Sequence, residues 1–468
     1  MPQLAIADEF RKRIEGAVID RSDPCYDAAR EIWNRVFDWR PSLVVRPLTT
    51  GDVAASIELA RKHDMPIAIK GGGHHVAGYA ACDGGVMLDL GSMRQITIDP
   101  EQRKAIAATG LTWAHLDQVT QAFGLACSGP IVSMTGIAGF TLGGGFGWLH
   151  RKIGLACDNL MSAEVVTAAG EVIHANENEN SDLLWGLKGA GWNFGVVTSM
   201  ELRLHPIGPT VVAGLIYWPL DQFSKLVDQH RTLVGEFPEE LTTWMFLRLA
   251  PPNPLIPKDW VGRPVVALAL CHCGAAEEGR AWAKRFEDFK RPIASTVGEI
   301  EYRQWQRALD ARWGRGFFND WRAHYLDDLG PEATNILISH VARLTSPWTD
   351  IKIPHLGGAV ARIGDNDTAY GNRNARFGLV IQARWERAEE SAAQVAWAKE
   401  LRDALAPHAT GGAYANFLGN DEVDRVNAAH GSKNISRLRA LKEKFDPANV
   451  FRLNPSASLK VQSAWTSH

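Results

Sequence analysis

Apolar residues recur with two different spacings along residues 43–110, and the alternation predicts strands and helices in one folding unit. The runs LVVRPL, IAIK, GGVMLDL and KAIAATG are short and mostly apolar, which is typical of buried strands. Between the first two runs, TTGDVAASIELARKH carries Val53, Ile57 and Ala60 on one helical face, with Thr50 as the expected N-cap. This alternation indicates an α+β arrangement.

The same alternation continues as far as residue 205. In LTWAHLDQVTQAFG, a helical stripe is formed by Trp113, Leu116, Val119 and Phe123, and Gly124 is expected to end the helix. AEVVTAAGEVIHA predicts two strands around a turn, SDLLWGLKGAG a capped helix, and VVTSMELRLHP a further strand. The prolines of HPIGPTV then indicate a boundary between units.

Residues 210–410 show a different pattern, with longer strands and longer helices. WMFLRLA, PVVALALC, GGAVARI and FGLVIQARW predict strands, whereas AAEEGRAWAKRFEDF and AEESAAQVAWAKELRDAL predict helices. We therefore expect an antiparallel sheet backed by helices, as a separate substrate-handling unit. The last segment, from YANFLGND to FRLNP, returns to a strand, a helix and a turn.

Length and charge narrow the classes of function. A chain of 468 residues is too long for one ordinary core, so two or three folding units are expected. The net charge of −3 predicts no nucleic-acid partner, and no apolar run approaches the roughly 20 residues of a membrane helix. The start, MPQLAIADEFRKRIEGAV, lacks a signal-peptide core, so the expected location is the cytoplasm.

The six cysteines are too scattered for a disulfide framework. Cys271 and Cys273 would share one face of a strand, which makes a metal site an alternative to buried core thiols. A second pair of ligands is missing from that pattern, so we expect no metal.

Two glycine-rich segments indicate a bound ligand. The first, GGGHHVAG from Gly71 to Gly78, follows a predicted strand, and its backbone can turn N–H groups toward an anion such as a pyrophosphate. The second, from Ser133 to Gly147, holds six glycines in twelve residues and is not expected to form a plain helix or strand. Neither segment has the Rossmann or P-loop pattern.

Two further segments, GLACDNL from Gly154 and GAGWNFGVVT from Gly189, contain similar residues. Each taken alone is equally typical of a surface loop with no ligand.

Together, in this order and spacing, the four segments resemble the vanillyl-alcohol-oxidase/p-cresol-methylhydroxylase (PCMH) flavoproteins, within them the berberine-bridge-enzyme-like branch. The C-terminal pattern YANF, then LK, KFDP and FRLN, is similar to that branch, and the resemblance extends from PSLVVRP at residue 41 to the end. It implies an α+β fold: a PCMH-type FAD-binding domain over residues 1–208, a substrate domain with a seven-stranded antiparallel sheet over 209–410, and a C-terminal segment over 411–468 that completes the FAD domain.

The resemblance implies FAD, bound covalently through His74, with His75 as the competing candidate. Many relatives add a second bond from a cysteine, but Val132 stands at that position and Cys127 lies five residues earlier, so a single attachment is expected. The residues that the resemblance assigns to FAD are Lys70, Gly71, Gly72, Gly73, His74, His75, Val76, Gly78, Ser133, Thr135, Gly136, Gly139, Leu142, Gly143, Gly144, Gly147, Asp158, Asn159, Gly195, Val197, Tyr414, Asn416 and Asn454.

The resemblance leaves the catalytic base open. Plant members use a tyrosine where this chain has Phe417, which cannot accept a proton. His355 is the first alternative, because it precedes LGG on a strand expected to face the flavin and its usual pKa suits proton removal near neutral pH; the other interpretation is a structural histidine. Tyr414 is the second alternative and His150 the third. Thr135 matches a position at which relatives control access of oxygen.

The resemblance implies an oxidase in which the flavin takes a hydride from a small organic substrate and O2 is the acceptor. A sugar, a cyclic amine or a secondary metabolite would fit, and the residues Trp244, Phe246, Trp305, Trp385 and Phe377 favour an aromatic or polyketide-like one. LRLAPP and LGGAVARI are similar to the bacterial subgroup that includes the enterocin-pathway flavin oxygenase, so an oxygenase or a dehydrogenase is the alternative. From other classes, a non-catalytic flavin-binding protein or a metalloprotein stays open. A monomer or homo-oligomer with no membrane partner is expected.

Overall fold

A computed structural model describes residues 2–454 and 456 of the chain. The first part of the chain forms a small sheet. The elements are α1 (Pro2–Arg13), β1 (Ala17–Asp20), α2 (Tyr26–Arg30), β2 (Leu43–Arg46), α3 (Thr50–Lys62), β3 (Ile67–Lys70) and β4 (Val86–Asp89). The four-stranded order is β1-β2-β4-β3, with β1 antiparallel to β2 and the other neighbours parallel. Helix α3 provides a crossover connection of the kind that parallel strands require.

A second, five-stranded sheet follows in the order β5-β6-β10-β8-β9, and all of its pairs are antiparallel. The elements of this part are β5 (Ile96–Asp99), β6 (Lys104–Ala108), α4 (Trp113–Thr120), β7 (Leu125–Ala126), α5 (Ile137–Leu142), α6 (His150–Ile153), β8 (Leu160–Val166), β9 (Val172–Ala175), α7 (Ser181–Ala190), β10 (Val196–Arg203) and β11 (His205–Pro206). Strands β7 and β11 form a separate two-stranded ribbon.

The largest sheet is antiparallel and has eight strands rather than the seven expected. Its order is β15-β12-β14-β13-β18-β19-β17, and β16 also pairs with β12. The elements are β12 (Thr210–Pro219), α8 (Phe223–Leu233), β13 (Leu241–Leu249), β14 (Pro264–His272), α9 (Ala276–Glu287), β15 (Ala294–Ser295), β16 (Gly298–Glu301), α10 (Tyr302–Arg307), β17 (Phe318–Leu326), α11 (Pro331–Val341), β18 (Asp350–Pro354), α12 (Ala359–Arg362), β19 (Phe377–Trp385) and α13 (Ser391–Leu405). The predicted α+β class with an antiparallel sheet is confirmed.

Side chains of this sheet alternate between two apolar layers, as the pleat of a strand requires. On β13, Trp244 and Phe246 pack in the layer that also contains Phe146 of the second glycine-rich segment. Met245 and Leu247 pack in the opposite layer, against helices α8, α9, α11 and α13. One face of the sheet is therefore turned toward the glycine-rich part of the chain.

The C-terminal helices α14 (Val426–His430) and α15 (Ser432–Phe445) return to the glycine-rich part. Leu438 and Leu441 are buried in the same apolar cluster as helix α7. The Lys442 ammonium donates hydrogen bonds to the carbonyls of Asn193 and Phe451, each at 3.0 Å. Among the described helices, none combines the length and the apolar character that crossing a bilayer requires.

Three local predictions differ from the structure. GGAVARI is a helical turn and not a strand, because Gly357 and Gly358 have positive φ angles of 86° and 56°, which end the extended conformation. The second glycine-rich segment contains the six-residue helix α5, whose N-cap is Gly136. Helix α3 begins one residue after its N-cap Thr49, which accepts a hydrogen bond from Asp52, so the expected cap Thr50 is the first helical residue.

Helix α4 buries Trp113 and Leu116 of the predicted stripe, as expected, but not the last residue of that stripe. Phe123 lies in the turn after the helix and is 51% exposed, whereas Asp117 and Thr120 are buried. Gly124 ends this region in the left-handed conformation (φ 64°), as predicted. The inward position of Asp117 places a carboxyl group in the protein interior.

Candidate functional site

A cleft of about 1520 Å³, including its mouth, is lined on one side by both glycine-rich segments and on the other by the eight-stranded sheet. Its lining combines bare glycine backbone with large aromatic side chains.

The two glycine-rich segments touch each other at this cleft. A Cβ on Gly72 would stand 2.4 Å from the amide nitrogen of Gly136, and one on Gly136 would stand 2.3 Å from that of Gly72. Neither residue can carry a side chain unless the backbone moves. Gly73 adopts a positive φ of 69°, which also favours glycine. Bare backbone from both segments therefore lines the cleft, which is the arrangement that a flat or anionic ligand needs.

His74 lies at the cleft with one ring nitrogen held and the other free. Its imidazole stacks on Trp33, with ring centroids 5.6 Å apart and planes inclined by 21°. Nδ1 lies 3.0 Å from the carbonyl oxygen of Gly72, so Nδ1 carries the proton and donates it. Nε2 is buried and has no partner among the described residues. Burial lowers the pKa of His74 to about 4, so the ring is neutral and Nε2 keeps its lone pair.

His75 differs because both of its ring nitrogens are engaged. Nδ1 accepts a hydrogen bond from the backbone N–H of Ala77 at 3.2 Å, so Nε2 carries the proton. Nε2 lies 3.4 Å from the carbonyl oxygen of Ala415, to which it donates. Burial lowers the pKa of His75 to about 4 as well.

The cleft has a large aromatic lining, formed by Trp33, Phe140, Phe146, Trp192, Trp244, Trp313, Trp321 and Phe417. Trp321 contacts Trp313 and Phe417 edge-on, at centroid distances of 5.8 and 5.2 Å. Flat apolar walls of this kind suit a planar ligand.

Lys352 places an amine in this aromatic surface. It pairs with Phe246 across β13 and β18, so it shares the cleft-facing side of the sheet. Lys352 is 2% exposed, and Nζ lies 3.7 Å from the ring centroid of Trp313. Burial lowers the pKa of Lys352 well below its usual value, although the nearby Asp350 carboxylate opposes this effect.

The predicted FAD-binding residues divide into two groups. Those lining the cleft are Gly71, Gly72, Gly73, His74, His75, Thr135, Gly136, Gly139, Leu142, Gly195, Val197, Asn416 and Asn454. Those outside its lining are Lys70, Val76, Gly78, Ser133, Gly143, Gly144, Gly147, Asp158, Asn159 and Tyr414. The cleft is thus lined by the first glycine-rich segment, the beginning of the second, and single residues from later in the chain.

Several glycines of the second segment are required by protein packing instead of by a ligand. A Cβ on Gly143 would stand 2.2 Å from the Trp192 ring, and one on Gly144, whose φ is 118°, would stand 2.5 Å from Tyr370. One on Gly147 would meet a backbone carbonyl at 1.9 Å. The expectation that these glycines approach the ligand is therefore corrected.

Four polar residues predicted to bind FAD are held by other side chains: Lys70 by Asp89, Ser133 by Asp310, Asp158 by Arg373 and Asn159 by His205. The other two residues outside the lining are apolar or lack a side chain. Val76 is buried, and a Cβ on Gly78 would stand 2.5 Å from the Phe37 ring.

Tyr414 supports the cleft from behind. Its hydroxyl accepts hydrogen bonds from the Gly145 amide at 2.9 Å and from the Asn416 side chain at 2.8 Å. Burial raises the pKa of Tyr414 far above its usual value, so it stays protonated. Its contribution is to orient Asn416, which does line the cleft, and not to take a proton.

The expectation that His355 faces the flavin is wrong. Lys352 and Pro354 point toward the cleft, so the following residue points to the other face of the sheet. The His355 ring packs against His230 and Phe377 there, at centroid distances of 5.2 and 5.5 Å. The third candidate base, His150, also lies outside the lining; its ring nitrogens lie near backbone carbonyl oxygens at 2.5 and 3.0 Å.

Two residues of the cleft were missed by sequence reasoning. Lys352 stands between two isoleucines in the run DIKIP, and this period of two could have predicted a strand with the lysine on the less apolar face. Trp33, which stacks on His74, precedes the region of family resemblance and has no local pattern that marks it.

No cysteine lines the cleft among the residues that the structure describes. Val132 lines it, while Cys127 is fully buried and its pKa is raised to about 12 by burial. Within the described ranges, 2–454 and 456, no three His, Cys, Asp or Glu side chains are grouped so as to hold a metal ion.

Comparisons with known proteins agree with this geometry. The family described as "FAD binding domain" matches residues 41–176, and "Berberine and berberine like" matches residues 413–457. An FAD-linked oxidoreductase of Pyricularia oryzae is 30% identical over 89% of this chain and 84% of its own. (R)-6-hydroxynicotine oxidase of Paenarthrobacter nicotinovorans is 29% identical over 94% and 96%. The crystal structure of 6-hydroxy-D-nicotine oxidase from Arthrobacter nicotinovorans superimposes with a TM-score of 0.84, at 28% identity over 95% and 98% of the two chains.

Proposed function

We propose that this chain oxidises a small organic substrate with FAD attached covalently to His74, because the chain belongs to the berberine-like family of FAD-linked oxidoreductases. The chain is an FAD-dependent oxidoreductase, as its relatives are. The observation that carries the proposed attachment is the buried, unpartnered Nε2 of His74 beside a cleft lined by bare glycine backbone.

The residues of the cleft fit FAD. The contact between Gly72 and Gly136 leaves no room for side chains, so backbone N–H groups can approach the pyrophosphate. The aromatic lining suits the planar isoalloxazine ring. Asn416 and Asn454 add side-chain amides that can donate to or accept from ring or ribose atoms.

Covalent attachment needs an imidazole nitrogen with a free lone pair, and His74 meets that condition better than His75. The Gly72 carbonyl holds the proton of His74 on Nδ1, so we assign the bond to Nε2. In His75 the corresponding lone pair already accepts from Ala77. Trp33 holds the His74 ring by stacking, which fixes the direction of the bond.

We assign a single covalent bond to FAD, because Val132 occupies the position where a thiol would be needed. Thr135 lines the cleft next to the glycine contact, and a small hydroxyl side chain leaves space for O2 to approach. We therefore assign control of oxygen access to Thr135.

FAD held by the two glycine-rich segments and His74 would supply the hydride acceptor for the substrate and the route for electrons to O2. We assign to Lys352 the uptake of the accompanying O–H proton, because burial lowers the pKa of its amine and so favours the neutral form that can accept one. The Trp313 ring, whose centroid lies 3.7 Å from Nζ, shields that amine from water. Phe417 itself has no acid–base function, and Lys352 is the one Lys, Arg, Asp or Glu among the described residues that line the cleft.

The attachment is tested by denaturing His74→Ala, His75→Ala and the wild type with acid and measuring flavin in pellet and supernatant. We expect a yellow pellet from the wild type and from His75→Ala, whereas His74→Ala should release its FAD and turn over more slowly. Flavin that stays attached in His74→Ala and is released from His75→Ala would reverse the assignment. Peroxide formed in equal amount to oxidised substrate would distinguish an oxidase from a dehydrogenase or an oxygenase.

A further inference from the structure

Lys352 is an unusual residue for the wall of an apolar cleft. Among the described residues that line the cleft, it is the one Lys, Arg, Asp or Glu side chain. Its Nζ has no hydrogen bond or ion pair with any described residue and lies over the Trp313 ring. An amine that is 2% exposed and has no oxygen partner is costly to charge. A ligand that brings its own oxygen partner would remove that cost.

The nearest carboxylate cannot serve as that partner, because two arginines already bind it. Arg248 donates two hydrogen bonds of 2.9 Å to the two oxygens of Asp350. Arg312 donates two more, at 2.7 and 3.1 Å, to the same carboxylate. Asp350 is fully buried between them. The carboxylate is therefore saturated, and its charge is already offset by the two guanidinium groups.

The charges around Lys352 are mostly positive. Arg248 lies on β13, Arg312 follows α10, and Arg384 lies on β19; all three lower the pKa of Lys352, and Asp350 alone among the main contributors raises it. Arg384 itself donates to the Asn319 side chain and the Gly314 carbonyl, which are neutral, so it brings no further anion. The wall behind Lys352 thus carries three cations against one anion.

This distribution decides which ligand charge the cleft accepts. A cationic amine would find no carboxylate in the described lining and would face the positive wall. A neutral sugar would meet aromatic walls with few polar partners. A planar oxyanion would stack against the tryptophans and place its charge on Lys352.

We infer that the substrate is a planar aromatic or conjugated compound with an acidic oxygen, which binds as its anion opposite Lys352. This inference rests on the proposed function of the cleft. For a phenol or enol, the O–H bond breaks and its proton moves to Nζ, which leaves an ammonium group paired with the oxyanion. For a carboxylate, the proton comes from solvent when the ligand binds, and the protonated Nζ then holds the ligand without serving as the base. In both cases the shared chemistry is an ammonium–oxyanion pair in a dry site, where it is stronger than in water.

The test measures binding to the oxidised holoenzyme, so it does not depend on turnover. The probes are naphthol, its methyl ether, naphthoate, its methyl ester and naphthylmethylamine, and the readouts are the flavin absorption spectrum and calorimetry. Naphthol or naphthoate should bind on the order of tenfold or more tightly than its uncharged ether or ester. Calorimetry in two buffers should show no net proton uptake for naphthol and one proton for naphthoate, which separates the two sources of the oxyanion.

The variants connect that preference with one side chain. Lys352→Met should reduce the ratio of the affinity for each acid to the affinity for its ether or ester to about one. Lys352→Arg, which keeps a cation, should retain the wild-type ratio. The exposed Lys225→Met is the matched control and should behave as the wild type. Equal binding of acids and their ethers or esters in the wild type, tighter binding of the amine, or an unchanged ratio in a flavin-loaded Lys352→Met would each overturn the inference. A protein without FAD would instead contradict the proposed function, and calorimetry would still report binding.

Discussion

Replacing the buried Asp117 with asparagine should stabilise the protein, and only above a certain pH. Asp117 lies on α4 and is 2% exposed. One of its oxygens accepts a hydrogen bond of 3.2 Å from Gln306 of α10, and the other has no partner among the described residues. Burial raises the pKa of Asp117 from 3.8 to about 7. The charged form is therefore disfavoured by the fold.

The sign and size of the effect follow from this shift. The folded protein binds the Asp117 proton more tightly than the unfolded chain does. The fold is therefore most stable when Asp117 is protonated in both states and least stable when it is ionised in both. Stability is lost as pH rises from 3.8 to about 7 and stays low above that value. At roughly 1.4 kcal/mol per pKa unit, the loss reaches about 4 kcal/mol. Asparagine can accept the same bond from Gln306 but never ionises, so it should recover that energy.

Thermal unfolding of the holoenzyme at about pH 5 and about pH 8.5 measures the effect. Asp117→Asn should exceed the wild-type Tm by a smaller margin at the lower pH, where roughly 1.7 kcal/mol of the loss is already present. The margin should be several degrees larger at the higher pH, because each kcal/mol shifts Tm by roughly 2 °C or more in larger domains. Asp259→Asn, at an exposed carboxyl, is the control and should shift neither. A Tm difference between Asp117→Asn and the wild type that is the same at both pH values would show that the fold does not disfavour the ionised Asp117.

Other predictions follow from the cleft and from one buried ion pair. Gly72→Ala should purify with little FAD, measured by flavin absorbance per protein, because its Cβ would collide with backbone 2.4 Å away; normal flavin content would contradict this. His355→Gln should keep kcat within a few-fold of wild type, whereas Lys352→Met should lower it by about 10²-fold or more, since only Lys352 lines the cleft; the reverse ranking in steady-state assays would show the assignment wrong. Arg373→Met should lower the free energy of unfolding by about 3–5 kcal/mol, because it leaves the buried Asp158 without its partner at 2.7 Å. The loss should appear as a lower midpoint of unfolding in urea, and the double variant Arg373→Met/Asp158→Asn should lose less.

Much of the fold could be predicted from the hydrophobic pattern, because long periodic segments determine their own element. The runs that became β14 and β19, and the helices α9 and α13, are examples. Where prediction failed, backbone geometry outweighed the pattern. The apolar residues of GGAVARI are compatible with a strand, but two successive positive φ angles at Gly357 and Gly358 turn the chain into a helical turn.

The site was predictable where a motif lies along the chain and not where it depends on register. The segment GGGHH marked the cleft because its residues are neighbours in sequence. Which of Lys352 and His355 faces the cleft depends on where β18 pairs with β13, and a strand ending at Pro354 turns the two side chains to opposite faces. The glycines that pack against Trp192 and Tyr370 could not be distinguished from ligand-binding ones, since both require the absence of a side chain.

The most direct test of the account is the mass of the denatured wild-type protein and of its proteolytic fragments. We predict one FAD added to the polypeptide, on the peptide that contains His74, with fragment ions that place it on that residue and not on His75. A polypeptide of unmodified mass from protein purified with bound flavin, or a flavin attached to a different residue, would contradict the claim that the free nitrogen of His74 holds the cofactor.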